Sequence, residues 1–501
     1  MSERRTPAAE LRGIEKRFGP VRANRSISLT LARGSIHGLV GENGAGKSTL
    51  AQILYGYLRP DAGEIRIGGR PVAFGSPRDA IAAGVGMVHQ HFMLVEPMTV
   101  LENLMLGREA GLGLAEGRAS ALATLARLDR GGGTALDPEA KVENLPVGSK
   151  QRVEILKALH RGAEILILDE PTAVLTPLEA TALFGELRAL AEHGKTILLV
   201  THRLREVIEV TDAVTVLRQG EVVAERQTRD TDAAELAALM IGRSPSPPQR
   251  RPARLGPLRL EIRELTVRDG AGILRLDRAS LAVRGGEIVA IAGVAGNGQS
   301  ELIESLVGLT APESGSIRLD DVELIGLTVR ERRLRGLGHV AEDRLRLGAV
   351  ADFSAVENAL LGCEQVPQFL RRAANAGALE AAMAAYDVRP AEPERHFARF
   401  SGGNQQKLVV ARELGRTPAL LVAGQPTRGV DVGAAELIHN RLLELRDAGS
   451  AILLISADLE EIRLLADRIL VLCGGRIAGE LTPETADERQ LGLLMAGAAS
   501  A

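Results

Sequence analysis

The chain has few aromatic residues, few cysteines and little net charge. Among its 501 residues there is no tryptophan, aromatics make up 2%, two residues are cysteines, and the formal net charge is −3. A basic, aromatic-rich surface is therefore not indicated, and we expect no nucleic-acid partner. The two cysteines lack metal-ligand spacing, and so few thiols in so long a chain are typical of an intracellular protein.

Long apolar runs are also missing. No run approaches the roughly 18 apolar residues that a membrane span needs. The first residues, MSERRTPAAELRG, lack the apolar core of a signal peptide. The sequence therefore predicts a chain that is cytosolic when made alone, and its hydrophobic content of 45% supports large cores.

What the chain does contain is one set of motifs that occurs twice. GENGAGKST begins at Gly41, and GVAGNGQSE begins 252 residues later at Gly293. ILILDEPT ends at Thr172, and LLVAGQPT ends 255 residues later at Thr427. A single long period indicates a duplicated domain, since the units of a repeat array recur every few tens of residues.

A proline- and arginine-rich segment separates the two copies. Residues 244–257, SPSPPQRRPARLGP, carry no apolar period, and their prolines favour an extended, semi-rigid connector. We therefore predict a first domain at residues 1–243 and a second domain at residues 258–501.

Both copies have the pattern of an α/β domain. Short alternating strands lead through an Arg-Gly or Gly-Gly turn into an apolar strand and a glycine-rich loop. Alanine- and leucine-rich stretches between the later apolar runs read as helices, so strands and helices alternate. Four runs are predicted to be strands buried on both faces of a parallel sheet: Ile165–Leu168, Thr196–Val200, Leu420–Val422 and Ile452–Ile455.

The first glycine-rich loop is a specific signal for phosphate binding. GENGAGKS fits G-x-x-x-x-G-K-[ST], follows the apolar run Ile36–Val40, and precedes a helix-like stretch from Ser48 to Leu58 that stops before Pro60. Such a loop presents backbone N–H groups and the positive end of a helix to phosphates, and this context makes a chance glycine-rich turn a poor alternative. The predicted nucleotide-binding residues are Gly41, Glu42, Asn43, Gly44, Ala45, Gly46, Lys47, Ser48 and Thr49.

Four side chains are predicted to supply the chemistry. Lys47 would place its charge against the β- and γ-phosphates, and the Ser48 hydroxyl suits Mg²⁺. Asp169 would hold Mg²⁺, and Glu170 would polarise the attacking water as a general base, a role worth about 10²–10⁴ in rate. An acidic pair at a strand end is often only a solvated loop, but its position after a phosphate-binding loop favours the catalytic interpretation.

Together these segments resemble the ATP-binding-cassette (ABC) family over nearly the whole chain. The resemblance implies that each copy combines a P-loop NTPase core with an antiparallel β subdomain and a helical subdomain, and that it uses ATP and Mg²⁺. It assigns Gln90 to the Q-loop position, which contacts Mg²⁺ and senses the membrane partner, and His202 to the switch position, which reaches the γ-phosphate. Phe18 would stack on adenine, although a phenylalanine near a strand end also fits a core position.

The signature segment of the family, LSGGQ, differs between the copies. It reads FSGGNQQK from Phe400 in the second copy but LPVGSKQR from Leu145 in the first. ABC domains pair head to tail, so the resemblance implies that ATP at Lys47 is closed by the signature of the other copy. The closing residues would be Ser401, Gly402 and Gly403.

The opposite composite site has lost its functional side chains. Its positions read Gln299, Gly424, Gln425 and Ala457 on one side, and Pro146, Val147 and Thr176 on the other. Every loss falls on this composite site and none on its counterpart. The sequence therefore predicts one hydrolysing site and one site that serves as a scaffold.

A subunit without membrane spans needs separate membrane partners. Tandem cassettes of this kind resemble the ATPase subunits of bacterial ribose and galactose importers, and the strings that begin at Val147 and Val422 are similar to the nucleoside branch. The resemblance implies two integral-membrane permease subunits, an indirect extracytoplasmic solute-binding lipoprotein, and a peripheral position on the cytoplasmic face of the membrane. Nucleoside import is the first interpretation, and a sugar importer of the ribose or galactose type is the second.

A soluble tandem-cassette ATPase of translation or DNA repair is a further alternative. The former usually joins two active sites by a long charged helix, and the latter carries coiled-coil or zinc-binding insertions. The short proline-rich linker, the single intact site and the missing basic face disfavour both.

An acidic pair, Glu342 and Asp343, occupies the Q-loop position of the second copy. Contact with a permease and salt bridges to Arg344 or Arg346 are both open interpretations of this pair.

Overall fold

A computed structural model describes most of the chain. The described residues are 6–19, 21–89, 92–107, 114–128, 136–172, 175, 177–244, 248, 250–293, 296–362 and 368–495. Contacts divide the chain into a first unit, residues 1–245, and a second unit, residues 246–501.

Strands and helices alternate along the first unit. Its strands are β1 (Ala9–Phe18), β2 (Val21–Leu31), β3 (Ile36–Gly41), β4 (Ala62–Ile67), β5 (Arg70–Val72), β6 (Val85–Val88), β7 (Ile165–Asp169), β8 (Thr196–Val200), β9 (Ala213–Arg218) and β10 (Glu221–Gln227). Its helices are α1 (Lys47–Leu54), α2 (Pro77–Ala82), α3 (Val100–Met105), α4 (Leu114–Leu128), α5 (Val147–His160), α6 (Pro177–Glu192), α7 (Leu204–Val210) and α8 (Ala233–Ile241).

The second unit repeats this order. Its strands are β11 (Leu258–Arg268), β12 (Leu274–Arg284), β13 (Ile288–Ala292), β14 (Ser314–Leu319), β15 (Val322–Glu323), β16 (Leu337–Val340), β17 (Leu420–Gly424), β18 (Ala451–Ile455), β19 (Arg468–Cys473) and β20 (Arg476–Leu481). Its helices are α9 (Gln299–Val307), α10 (Val329–Leu334), α11 (Ala355–Leu360), α12 (Gln368–Ala385), α13 (Gly402–Leu414), α14 (Val432–Asp447), α15 (Leu459–Leu465) and α16 (Glu488–Met495).

Each unit contains the same pair of sheets. The larger sheet has the order β10-β9-β3-β8-β7-β6 in the first unit and β20-β19-β13-β18-β17-β16 in the second. Its strands pair in parallel, except for the antiparallel edge strands β10 and β20. The smaller sheets, β2-β1-β4-β5 and β12-β11-β14-β15, are antiparallel. The predicted α/β fold with an antiparallel β subdomain is confirmed.

The apolar runs of the sequence form the middle of the larger sheets. β7, β8, β17 and β18 cover the four predicted strands and are buried along their whole length. Strands that are covered on both faces need apolar side chains at consecutive positions, which is why their sequences lack the alternation of a half-exposed strand.

The main core of the first unit surrounds α1. Leu50, Ile53 and Leu54 are at most 1% exposed and belong to the same cluster as Leu11 and Ile14 of β1. Full burial of each such side chain contributes about 1.5–3 kcal/mol. This packing fixes the helix that follows the glycine-rich loop, and the loop is fixed with it.

α1 is shorter than the helix that the sequence predicts, which extends to Leu58. The helix ends at Leu54, and Gly56 then adopts a φ of 74°. A Cβ atom at Gly56 would lie 2.7 Å from the carbonyl oxygen of Ser76. The chain turns here because glycine allows both the left-handed conformation and this close approach.

A separate cluster forms the helical subdomain of the first unit. α3, α4 and α5 bury Val100, Leu104, Leu125, Val153 and Leu156 in one cluster. Because the predicted signature position of this copy lies at the N-terminus of α5, the cluster positions that segment.

Part of the predicted connector is attached to the second unit. Arg250 donates hydrogen bonds to the carbonyl oxygen of Ala466 and, over 2.9 Å, to Glu484. The fully buried Arg446 donates from Nη2 to the carbonyl oxygen of Arg251 over 3.0 Å. These bonds tie the middle of the connector to the unit that follows it.

In the part of the chain that the structure describes, no helix is long and apolar enough to cross a membrane.

Candidate active site

The glycine-rich loop of the first unit connects β3 to α1. Gly46 has a φ of 99° and directly precedes α1, where a Cβ atom would collide with the carbonyl oxygen of Ala23. A Cβ atom at Gly41 would collide with the carbonyl oxygen of Leu217. Only glycine allows the loop to pass this close to the neighbouring backbone and to turn directly into the helix.

The lysine of this loop is buried against the loop itself. Lys47 is 6% exposed, and its Nζ donates to the carbonyl oxygens of Gly41, over 2.7 Å, and Glu42, over 3.0 Å. The ammonium group is thus held beside the N-terminus of α1. A fixed positive charge at a helix N-terminus is suited to a polyphosphate.

A hydroxyl and a carboxylate lie together at the end of this sheet. Ser48 Oγ donates to Asp169 Oδ1 over 3.4 Å, which joins the start of α1 to the end of β7. Burial raises the pKa of Asp169, while the Ser48 hydrogen bond and the charge of Lys47 act in the opposite direction. A buried carboxylate beside an exposed hydroxyl is a set of oxygen donors that fits Mg²⁺, which prefers oxygen ligands.

Glu170 and His202 form a close pair beside these groups. Glu170 has a φ of 49°, its N–H donates to the carbonyl oxygen of Val200 over 2.8 Å, and its Oε1 lies 2.8 Å from His202 Nδ1. Since a carboxylate only accepts, Nδ1 is the donor. Burial would raise the pKa of Glu170, but the His202 hydrogen bond and the charge of Lys47 outweigh it and hold the pKa below its usual value. Glu170 is therefore ionised at neutral pH.

Of the other predicted site residues, Phe18 is described by the structure and Gln90 is not. Phe18, at the end of β1, is 46% exposed, and the Lys16 Nζ lies 5.8 Å from its ring centroid. The ring is therefore on the surface and not in the core. On the surface a base could stack on it. Gln90 lies outside the described residues, as does Thr176 of the opposite site.

The second unit keeps the backbone geometry of the strand end but not the lysine or the two adjacent carboxylates. Gln425 has a φ of 47°, and its N–H donates to the carbonyl oxygen of Ile455 over 2.7 Å, as in the equivalent glutamate of the first unit. Gln299 replaces the lysine, is 7% exposed, and accepts through Oε1 from the Asn297 N–H over 3.1 Å. The left-handed residue after the strand and its backbone hydrogen bond are thus retained, whereas a lysine is replaced by Gln299 and the two carboxylates by Gly424 and Gln425.

The signature segment of the second unit begins α13. The Ser401 side chain caps this helix, and its Oγ also accepts from Asn404 Nδ2 over 2.9 Å. A Cβ atom at Gly402 would lie 2.6 Å from Arg344 Nη2, so the guanidinium occupies the space that a side chain there would need. In the first unit, α5 begins after Pro146 without a side-chain cap. The contact of Arg344 with the signature was not expected from the sequence, where 58 residues separate Arg344 from Gly402.

The sequence did not predict the hydrogen bonds between threonine and glutamate side chains that follow the strand ends in both units. The Thr172 hydroxyl donates to Glu206, and the Thr201 hydroxyl donates to the same carboxylate over 3.2 Å. In the second unit, Thr427 Oγ1 donates to Glu461 Oε1 over 2.7 Å. Equal spacing of the threonine and glutamate in both copies, 34 residues, is the signal that could have revealed them.

The sequence of this chain is similar to those of known proteins. The family model "ABC transporter" matches residues 24–173 and 276–428. The chain is 44% identical over 491 residues to the nucleoside import ATP-binding protein NupA of Lactococcus lactis subsp. cremoris (strain MG1363), which covers 97% of each chain. It is 46% identical over 494 residues to the guanosine import ATP-binding protein NupO of Bacillus subtilis (strain 168), again 97% of each. It is 43% identical over 540 residues to the glucose import ATP-binding protein TsgD13 of Haloferax volcanii, which covers 99% of this chain and 97% of that protein.

These matches cover both copies of the motif set and nearly the whole chain. The protein therefore belongs to the ABC transporter family, with two nucleotide-binding domains in one polypeptide. As a member of that family it binds ATP and is an ATPase.

Proposed function

We propose that this chain is the ATP-hydrolysing subunit of an importer for nucleosides, and that only its first unit hydrolyses ATP. The observation that carries the asymmetry is the set of paired side chains in the first unit. Ser48 bonds to Asp169 and Glu170 bonds to His202, whereas Gly424 and Gln425 stand at the equivalent strand end of the second unit.

Each side chain of the first unit has a proposed task. Lys47 binds the β- and γ-phosphates, and Ser48, Asp169 and Gln90 hold Mg²⁺, which neutralises charge on the phosphates. Glu170 accepts the proton of the attacking water, since it is ionised and lies at the end of β7. His202 orients this carboxylate through the 2.8 Å hydrogen bond.

The remaining assignments follow from the family resemblance. Phe18 stacks on adenine, and Ser401, Gly402 and Gly403 complete the site through head-to-tail pairing. We also propose domain bounds of 1–243 and 258–501 with a connector at 244–257. The bonds of Arg250 and Arg251 support a connector whose middle is attached to the second unit.

The proposed solute rests on the relatives. NupA and NupO are nucleoside and guanosine import proteins by name, and each covers 97% of this chain. The 43% identity to a glucose import protein favours a sugar as the second candidate. In either case the partners are two integral-membrane permease subunits and, indirectly, an extracytoplasmic binding protein, and the chain lies on the cytoplasmic face of the membrane.

The test is purification of the tagged chain from its native membranes, followed by assay of the recovered complex. We expect permease subunits to co-purify and ATP turnover to rise when the binding protein is added with guanosine or another nucleoside. Stimulation by ribose or glucose instead would transfer the assignment to sugars. Recovery with ribosomes or DNA and without a permease would refute the importer.

A further inference from the structure

An arginine of the second unit lies against the signature segment. Arg344 begins a short π-helical turn, Arg344–Gly348, that follows β16. Its Nε donates to Gln405 Oε1 of α13 over 3.1 Å. A Cβ atom at Gly402 would lie 2.6 Å from its Nη2. The guanidinium group therefore covers the first turn of α13, which carries the signature.

The same guanidinium group reaches a third element. Its Nη1 donates to the carbonyl oxygen of Arg428, over 3.5 Å, in the loop between β17 and α14. Gln406 of α13, which is 2% exposed, donates from Nε2 to the carbonyl oxygen of Pro426 in this loop over 2.9 Å. Because an arginine presents several donors in one rigid plane, a single side chain can hold the turn, the start of α13 and this loop in one geometry.

The turn that carries the arginine is itself held at both ends. At its start, Asp343 Oδ1 accepts from the N–H groups of Leu345, over 2.9 Å, and Arg346, over 3.1 Å. At its end, Gly348 is buried, and a Cβ atom there would lie 3.7 Å from Val409 Cγ1 of α13. Packing and backbone hydrogen bonds therefore fix the position from which the arginine reaches the signature.

The first unit has other residues at these positions. Phe92 stands at the position of Arg344, and Val147 stands at that of Gly402. A guanidinium group packed on the helix at this point requires a glycine, and the copy without the arginine has a branched side chain there. The amide of Gln151, at the equivalent point of α5, is buried, and among the described residues its Nε2 has no hydrogen-bond partner. The linkage is thus a property of the unit whose signature is intact.

We propose that Arg344 is a positioning residue for ATP hydrolysis, and that it fixes the signature, residues 401–403, in the geometry that the reaction requires. The inference rests on the proposed function, in which this signature completes the hydrolysing site. Groups that stabilise developing charge act by being held in place before the reaction. Loss of Arg344 therefore lowers the rate of hydrolysis, whereas the affinity for ATP, which depends on Lys47 and its loop, is kept.

The experiment is steady-state ATP turnover by the complex with its permease subunits, with ATP binding by the full chain measured separately. Arg344→Ala should lower kcat at least about tenfold, since a displacement of about 1 Å in a positioned group can cost about 10²-fold in rate. ATP binding by the full chain should not change. Thermal unfolding of each variant shows whether the chain is folded.

A second variant separates geometry from charge. Arg344→Lys keeps the positive charge and the aliphatic stem but lacks the planar set of donors, so it should fold and still lose most of kcat. The matched control is Arg346→Ala, which removes an exposed arginine from the same turn and should keep the wild-type kcat.

The outcomes distinguish this inference from the proposed function. Wild-type kcat in Arg344→Ala, or full turnover in Arg344→Lys, would overturn the positioning role. An equal loss in Arg346→Ala would assign the effect to the whole turn and would overturn it as well. The proposed function stands in each of these cases. It would be refuted itself if Ser401→Arg kept wild-type turnover, because this signature would then not serve the hydrolysing site.

Discussion

Replacement of Glu170 by glutamine isolates the proposed general base. Glutamine matches glutamate in size. The second unit already has a glutamine, Gln425, with a φ of 47°, compared with 49° for Glu170. The amide oxygen can still accept the hydrogen bond that His202 Nδ1 donates over 2.8 Å. The variant should therefore keep its fold and its nucleotide and lose only the proton acceptor.

The expected loss of ATP turnover is about 10²–10⁴-fold, the usual contribution of a general base. This corresponds to about 2.7–5.4 kcal/mol in the activation barrier. Because the His202 hydrogen bond and Lys47 hold the pKa of Glu170 below its usual value, the carboxylate stays ionised throughout the neutral range. The ratio of wild-type to variant rates should accordingly be constant between about pH 6 and pH 8.

The assay is steady-state ATP turnover by the complex with its permease subunits, with ATP binding measured separately. Residual turnover above a tenth of the wild type would refute the assignment of the base. Gln425→Glu in the Glu170→Gln background is the matched control. It should not restore turnover, because Gly424 still lacks a carboxylate and Gln299 still lacks a charge.

Three further predictions concern other parts of the two units. Lys47→Ala should abolish turnover while Gln299→Ala leaves most of it, since only Lys47 places a charge on the phosphates; equal losses would contradict the asymmetric assignment. Ser401→Arg should cripple turnover while Val147→Arg is tolerated, because only the Ser401 signature is assigned to the hydrolysing site; the reverse result would exchange the pairing of the signatures. Burial raises the pKa of Asp169 in the folded chain, so the folded state binds the proton of this carboxyl group more tightly than the unfolded state does. The free energy of unfolding therefore falls as the pH rises from the unfolded pKa through the folded pKa of Asp169. Asp169→Asn should therefore raise the Tm of the nucleotide-free chain at pH 7–8 by about 2–4 °C for each kcal/mol of stability gained. The gain in Tm should be smaller near the unfolded pKa of about 3.9. An unchanged or lower Tm at pH 7–8 would contradict burial as the cause of the raised pKa.

Local sequence was sufficient to predict the elements that depend on consecutive residues. The phosphate-binding loop is a run of consecutive residues, and its glycines are required by their own backbone conformation and by close neighbours. The apolar run Thr196–Val200 coincides with β8, and Ile165–Leu168 falls one residue short of β7. The duplication was visible because both copies keep the same order and spacing of motifs.

Contacts between residues distant in sequence could not be predicted in the same way. Helix α1 ends early because Gly56 meets Ser76, which local helix propensity does not report. The bond between Ser300 and Glu342, 42 residues apart, exists because β16 and β17 are neighbours in the sheet. A side chain at Gly424 would come close to Glu342 because of the same pairing of β16 with β17.

The sequence by itself determined the family, the duplicated α/β plan and the residues that distinguish the two copies, because these depend on residue identity and spacing. Tertiary structure decided which side chains act in pairs and in which protonation state. Glu170 is ionised because His202 and Lys47 outweigh its burial, whereas Asp169, on the adjacent position of the same strand end, has its pKa raised by burial. Two neighbouring carboxylates thus differ because hydrogen bonding and desolvation are set by the packing around each group rather than by the order of residues.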